Sequence, residues 1–165
     1  METEIKVIPN FIGWREWIGL PGIGLVAIKA KVDTGAKTSS LHAFDISLES
    51  KAGRTWVNFK VHPLQGDFSV VVSCRSPLVD KRMVTDSGGH KEERYVIVTT
   101  MAVGPLKQKI ELTLTNRETM KYRMLIGRAA LTPFYIDPKR SYLSAKTLKQ
   151  RKFLRVLRIQ QKKIN

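Results

Sequence analysis

The stretch "IKAKVDTGAKTSSLHA", Ile28–Ala43, decides how the rest of the chain is read. It continues an alternating run. Across Leu25–Val32, Val26, Ile28, Ala30 and Val32 share one face, and Lys29 and Lys31 lie on the other. That is the period of a half-buried strand. The strand ends, and Asp33, Thr34, Gly35 and Ala36 follow at once. Asp and Gly favour turns for local reasons, so the tripeptide alone reads as an ordinary turn. The context sharpens it. A small residue at Ala36 lets the chain turn tightly, and an acid held at a strand end projects into a cleft.

Asp-Thr-Gly also has a chemical reading, as half of an aspartic-protease dyad. Two carboxylates held close together cannot both ionise cheaply, so they share one proton. The ionised one acts as base on a water, and the protonated one polarises a peptide carbonyl. In that reading the Thr34 hydroxyl buttresses the pair, and Gly35 lets backbone N–H groups approach the carboxylates. The chain has no second copy with the same continuation. Asp86-Ser87-Gly88 carries the letters, but Gly89-His90-Lys91 follows in place of a small-then-apolar run. A homodimer solves this better, with Asp33 supplied once by each subunit across a two-fold axis.

A second segment belongs with the first. "RMLIGRAALTPF", Arg123–Phe134, reads as an apolar strand through Leu125 and Ile126, then Gly127, Arg128 and a short helix stopped by Pro133. Retroviral-type aspartic proteases carry this pattern after their Asp-Thr-Gly. The remaining strand candidates are "RTWVNFKVH", "FSVVVSC", "RYVIVTTMAV" and "QKIELTLTN", rich in β-branched residues and punctuated by Gly22, Gly53, Gly66, Gly88-Gly89 and Gly104-Pro105. The fold expected is all-β, a closed acid-protease barrel over residues 1–144, followed by a basic helical extension over 145–165. Phe153, Val156, Leu157 and Ile164 are expected on the packed face of that helix, with Ser144 or Thr147 capping its start.

Composition sets the frame. The chain has 165 residues, 42% hydrophobic and 26% charged, in the range of a soluble globular domain. "METEIKVIPN" has no apolar core, so no secretory signal is expected, and no apolar stretch is long enough to span a bilayer. Cys74 is the only cysteine, which excludes an intrachain disulfide and makes a cytoplasmic home the simplest reading. The net charge of +15 favours acidic partners: nucleic acid, an anionic membrane or an acidic polypeptide.

Taken together, Phe11–Phe44, Ser87–Met101 and Ile110–Leu143 resemble the bacterial family of retropepsin-like proteases often labelled ATP-dependent zinc protease. The resemblance covers nearly all of residues 11–143. It implies proteolysis, a retropepsin-like barrel, and a functional link with ligases that add glutamates to a ribosomal protein. The zinc and ATP parts of the label find no support in the residues. His42, His62, His90 and Cys74 are dispersed, no His-Glu-x-x-His occurs, and no Gly-x-x-x-x-Gly-Lys-Ser/Thr occurs. No metal and no cofactor are therefore expected.

Retropepsin-like enzymes cover their substrate with a β-hairpin. "MVTDSGGHKEERYVI", Met83–Ile97, can form one with Gly88-Gly89 at its tip, although Gly127 lies 94 residues after Asp33, longer than the minimal retroviral arrangement. The expected site is thus Asp33 as catalyst, supported by Thr34, Gly35, Ala36 and Gly127. Lys37, His42, Arg82, Ser87, Gly88, Arg94 and Arg128 are the expected substrate contacts, with the arginines suited to acidic side chains. The tail, from Lys146 through Lys149, Arg151, Lys152, Arg155, Arg158, Lys162 and Lys163, contains no acid and makes nucleic acid a candidate partner. Two rival readings remain: a non-catalytic β module that binds RNA or acidic protein, and a zinc hydrolase built on His42.

Overall fold

The computed structural model describes residues 10–144, 146 and 148–164, with side chains described as far as residue 159. Twelve strands and two helices run in this order: β1 (Asn10–Gly13), β2 (Arg15–Leu20), β3 (Leu25–Val32), β4 (Ser39–His42), β5 (Phe44–Lys51), β6 (Arg54–Val61), β7 (Val72–Pro77), β8 (Asp80–Thr85), β9 (Lys91–Val103), β10 (Leu106–Thr115), β11 (Met124–Ile126), α1 (Arg128–Leu131), β12 (Phe134–Asp137) and α2 (Leu148–Ile164). Six strands in the order β10-β4-β11-β3-β2-β9 close on themselves, because β9 also pairs with β10. Closure leaves none of these six with an open edge inside the barrel. The expected closed, mostly-β barrel with few helices is what the chain forms.

The alternation in β3 holds in part: Ile28 and Ala30 of the expected face are buried, Val26 and Val32 are half-buried, and Ala27 on the opposite face is buried too. Lys31 points to solvent. Ile28 and Ala30 join Ile18, Leu41, Ile97, Met101, Leu112, Met124 and Ile126 in one core. The separate sheet β5-β6-β7 packs Val57, Phe59, Val61 and Cys74 into the same cluster. Burying each such side chain contributes roughly 1.5–3 kcal/mol, so the two sheets are coupled through these contacts. β8 extends the barrel sheet beyond β9, and β1 pairs in parallel with β12 as a ribbon outside it.

One crossing positions the site. β11 lies between β3 and β4, parallel to the first (Leu125 against Lys31) and antiparallel to the second (Leu125 against Ser40). The loop from Asp33 to Thr38 therefore arches over the end of β11, and Gly127 sits beneath it.

Three expectations needed correction. "FSVVVSC" is not a strand from its start: β7 begins at Val72. The Asp67 carboxylate accepts from the Ser69 N–H and hydroxyl at 2.8 and 2.7 Å and holds a turn there. The packed face of α2 carries Gln150, Leu154 and Leu157, spaced i, i+4, i+7, whereas Val156 is 52% exposed. Ser144 does not cap α2. Its hydroxyl donates to buried Glu16 at 2.5 Å, and Thr147 lies outside the described residues. Also outside them are residues 1–9 and the side chains of Lys162, Lys163 and Ile164. No described helix is long and apolar enough to cross a membrane.

Candidate active site

Asp33 is half-buried at the end of β3. Its backbone N–H donates to the Ile126 carbonyl at 2.9 Å, which pins the acid to the crossing strand. Its Oδ1 accepts from the Gly35 N–H at 3.0 Å, which fixes the plane of the carboxylate. Beyond it, Arg128 N–H donates to Ala36 O at 2.8 Å, and Ala129 N–H donates to Lys37 O at 3.0 Å. The Arg128 guanidinium donates to Thr34 O at 2.8 Å. Both halves of the sequence signature thus meet in one rigid loop.

Gly127 is required by space. A Cβ there would stand 2.6 Å from Thr38 C and 2.7 Å from the Lys37 and Thr38 carbonyl oxygens. Its N–H donates to the buried Ser39 hydroxyl at 3.0 Å, and Thr113 donates to Ser39 O at 3.2 Å. The floor of the loop is therefore hydrogen-bonded throughout, as a buried backbone must be.

The hairpin β8–β9 forms as expected, with Asp86–His90 at its tip. Asp86 Oδ1 accepts from Gly88 N–H at 2.8 Å and His90 N–H at 3.0 Å, and Gly89 takes φ 84°. Asp86 therefore staples the turn, and these bonds hold its carboxyl below the usual range. Ser87 and Gly88 are exposed beside it. Lys37 is exposed on the loop after Ala36 and lies within the electrostatic reach of Glu111.

Two arginines of the hairpin are already engaged. Arg82 grips Glu111 with both terminal nitrogens, at 2.6 and 3.0 Å, and Asp80 with Nε at 2.7 Å. These carboxylates raise its pKa above the ordinary arginine value. Arg94 donates to Glu92 at 2.8 Å, and Glu92 also accepts from Thr115 at 2.9 Å.

His42 is a correction. It was expected among the substrate contacts, but it is fully buried at the end of β4. Its ring lies 5.9 Å from both Phe44 and His62, which stack on each other at 4.3 Å, and its Nδ1 accepts the Arg117 N–H at 2.9 Å. Burial first, and then the nearby Arg123 cation, push its pKa down to about 4. His42 is neutral and acts on the loop that carries Arg117. Neither it nor His62 suits zinc. His42 Nδ1 is occupied, and Arg123 repels a cation from both rings. Among the described residues no three His, Cys, Asp or Glu side chains gather as a metal site.

Arg117 was not singled out from the sequence. It is half-buried, its pKa is lowered by burial and by Arg94, and Asp33 opposes that shift. It is therefore a cation within the electrostatic reach of both the loop carboxylate and Arg94 of the hairpin. Nothing in "TNRET" distinguishes it from a solvated turn arginine. Only the connection from β10 to β11 brings it within electrostatic reach of Asp33.

Fold and loop together define a retropepsin-like barrel that presents an Asp-Thr-Gly loop over a Gly-Arg crossing. The chain belongs to the RimB-like family, described as retropepsin-like aspartic endopeptidase RimB, which matches residues 11–147. It is 49% identical over 132 residues to a probable alpha-L-glutamate ligase of Parasynechococcus marenigrum, covering 79% of this chain and 28% of that protein. It is 44% identical over 132 residues to one of Shewanella pealeana, covering 79% and 29%. The chain thus spans less than a third of the length of these relatives. It also resembles the crystal structure of a Legionella pneumophila protein of unknown function. That likeness has a TM-score of 0.66 and 28% identity, covering 82% of this chain and 98% of that one.

Proposed function

We propose that this chain is one half of a homodimeric aspartic endopeptidase that cleaves acidic peptides. One observation carries the reading: Asp33 is locked at a strand end by Ile126 and Gly35, with Arg117 beside it. One Asp33 cannot serve as both acid and base, and two share the work. The ionised carboxylate takes a proton from water as the water oxygen bonds to the scissile carbonyl carbon. The protonated carboxylate gives its proton to the carbonyl oxygen. The tetrahedral intermediate then collapses, the C–N bond breaks, and the amine leaves with a proton from the dyad.

The ribbon β1–β12 supports a dimer. Phe11 and Tyr135, 55% and 64% exposed, lie 5.7 Å apart on a sheet that has two strands and open outer edges among the described residues. Such an edge is a ready template for a second copy. Arg117, Lys37 and Arg128 give the surroundings of Asp33 a positive balance that suits glutamate or aspartate side chains. The names of the relatives fit the same picture. In them the matching domain forms part of a longer chain named for a glutamate ligase, so a peptidase acting on the product of such a ligase is the natural counterpart.

The test is cleavage of a peptide ending in several glutamates, read by mass spectrometry. Wild type is expected to cut it, and Asp33→Asn is expected to lose at least 100-fold in rate, about the scale of a lost acid–base group. Equal cleavage by both proteins ends the aspartic mechanism.

A further inference from the structure

The basic tail takes no part in the site around Asp33, and the fold gives it a definite setting. α2 lies against the barrel through Leu154 and Leu157, both buried. Its outward side carries Arg151, Arg155 and Arg158, spaced i, i+4, i+7 along one stripe. With Lys146, Leu154 and Ile159 they line a groove of about 460 Å³. There is no acid in α2. Among the described residues no ion pair reaches any of these four cations.

The basic surface continues onto the barrel, which the sequence did not reveal. Lys146 Nζ lies 4.6 Å from the centre of the Trp17 ring, and Lys29 Nζ lies 5.3 Å from the same ring and 5.6 Å from that of Tyr142. Arg15 sits over Trp14 at 4.5 Å and Tyr142 at 5.1 Å. Trp17 and Tyr142 are themselves 6.3 Å apart. Lys146 is close enough to Arg158, Lys29 and Arg151 for all three to disfavour its charge, after burial. Like charges crowded without a counter-ion on a folded surface cost stability, unless a polyanion completes the face.

We infer that the basic groove along α2 and the adjoining Trp17–Tyr142 surface bind single-stranded RNA, with Arg151, Arg155, Arg158 and Lys146 on its phosphates and the aromatic surface beside its bases. Guanidinium groups match phosphate oxygens in planar, forked pairs. Half-buried aromatics interleaved with cations suit a strand with unpaired bases, and an acidic peptide offers no such rings. A bilayer fits less well. A surface helix inserts its apolar face into lipid, and here Leu154 and Leu157 already spend that face on the barrel. The exposed Val156 and Ile159 have Arg155 and Arg158 between and beside them. This inference does not depend on the peptidase reading.

The test is fluorescence anisotropy of a labelled, unstructured 20-nucleotide RNA with the full chain, between 50 and 200 mM KCl. Wild type and Asp33→Asn are expected to bind alike. The triple variant Arg151→Ala, Arg155→Ala, Arg158→Ala should bind at least 10-fold more weakly at 100 mM KCl. Its salt slope should fall by about 2, near 0.7 per lost phosphate contact. A variant losing three exposed cations elsewhere (Lys51→Ala, Arg54→Ala, Lys109→Ala) should keep most of the affinity and shows whether bulk charge alone explains the binding. Circular dichroism confirms that both triple variants remain folded. Equal losses in the two triple variants would overturn the inference. So would tighter binding to polyglutamate or to phosphatidylserine vesicles than to RNA.

Discussion

The backbone N–H of Arg117 donates to Nδ1 of His42 at 2.9 Å, joining residues 75 apart in the sequence. His42 has no exposed surface, so this bond anchors the loop that carries a cation toward Asp33. His42→Leu keeps an apolar core but leaves that N–H without its acceptor, at a cost of about 1–3 kcal/mol. For an acidic peptide, KM is expected to rise about tenfold with a smaller change in kcat, because a binding group is displaced and the acid–base pair is not. Arg117→Ala should reproduce the KM effect without the loss of stability. Steady-state kinetics beside urea unfolding separates the two.

The same histidine makes stability depend on pH. Unfolded, it titrates near 6.5, and folded, at about 4. Between these values the unfolded chain binds the more protons, so stability rises with pH across that window. Its contribution is complete above pH 6.5 and is lost as pH falls toward 4, by up to about 3 kcal/mol. His62, also lowered by burial, acts in the same direction. Urea midpoints from pH 7 to pH 4 should therefore fall less steeply in His42→Leu than in wild type.

Gly127→Ala tests the close approach beneath the loop. The added methyl would meet backbone atoms of Lys37 and Thr38 at 2.6–2.7 Å, which no rotamer can relieve. A loss of about 1–3 kcal/mol is expected, with peptidase activity abolished because the bond from Asp33 N–H to Ile126 O moves with the loop. Ser39→Ala, which removes only the hydroxyl under Gly127, should be milder in activity.

Much of this was legible in the sequence, and the exceptions have physical reasons. The alternation of β3 and the run Leu125–Arg128 announced the crossing, because apolar period and glycine spacing are local properties. β4 was not named, because "SSLH" looks polar, yet all four residues are buried, and the Ser39 hydroxyl and His42 Nδ1 are bonded by partners far along the chain. The pairing of β1 with β12 joins residues 124 apart at each register position and left no local trace. The helical period was read correctly in α2, and Leu157 is buried as expected, but Val156 is not. Leu154 and Val156 are equally apolar, and only the barrel decides which is buried. Arg117 and the groove beneath Lys146 belong to this second kind, since they exist only once distant strands meet.

The exposed ribbon bears on assembly. Phe11→Lys or Tyr135→Lys places a charge on a two-stranded sheet with open edges and leaves the barrel core untouched. The dimer dissociation constant is expected to rise at least tenfold, with the urea midpoint of the monomer unchanged within about 0.5 kcal/mol. Analytical ultracentrifugation reads the first and circular dichroism the second.

The half-site claim itself is met most directly by subunit mixing. Wild type and Asp33→Asn are combined at constant total concentration, left to exchange, and assayed on the glutamate-rich peptide. If each active centre needs Asp33 from both subunits, activity follows the square of the wild-type fraction, and an equimolar mixture retains about one quarter. A linear fall, with about one half retained at equimolar mixing, would show that a single chain carries the whole site and would contradict the proposal.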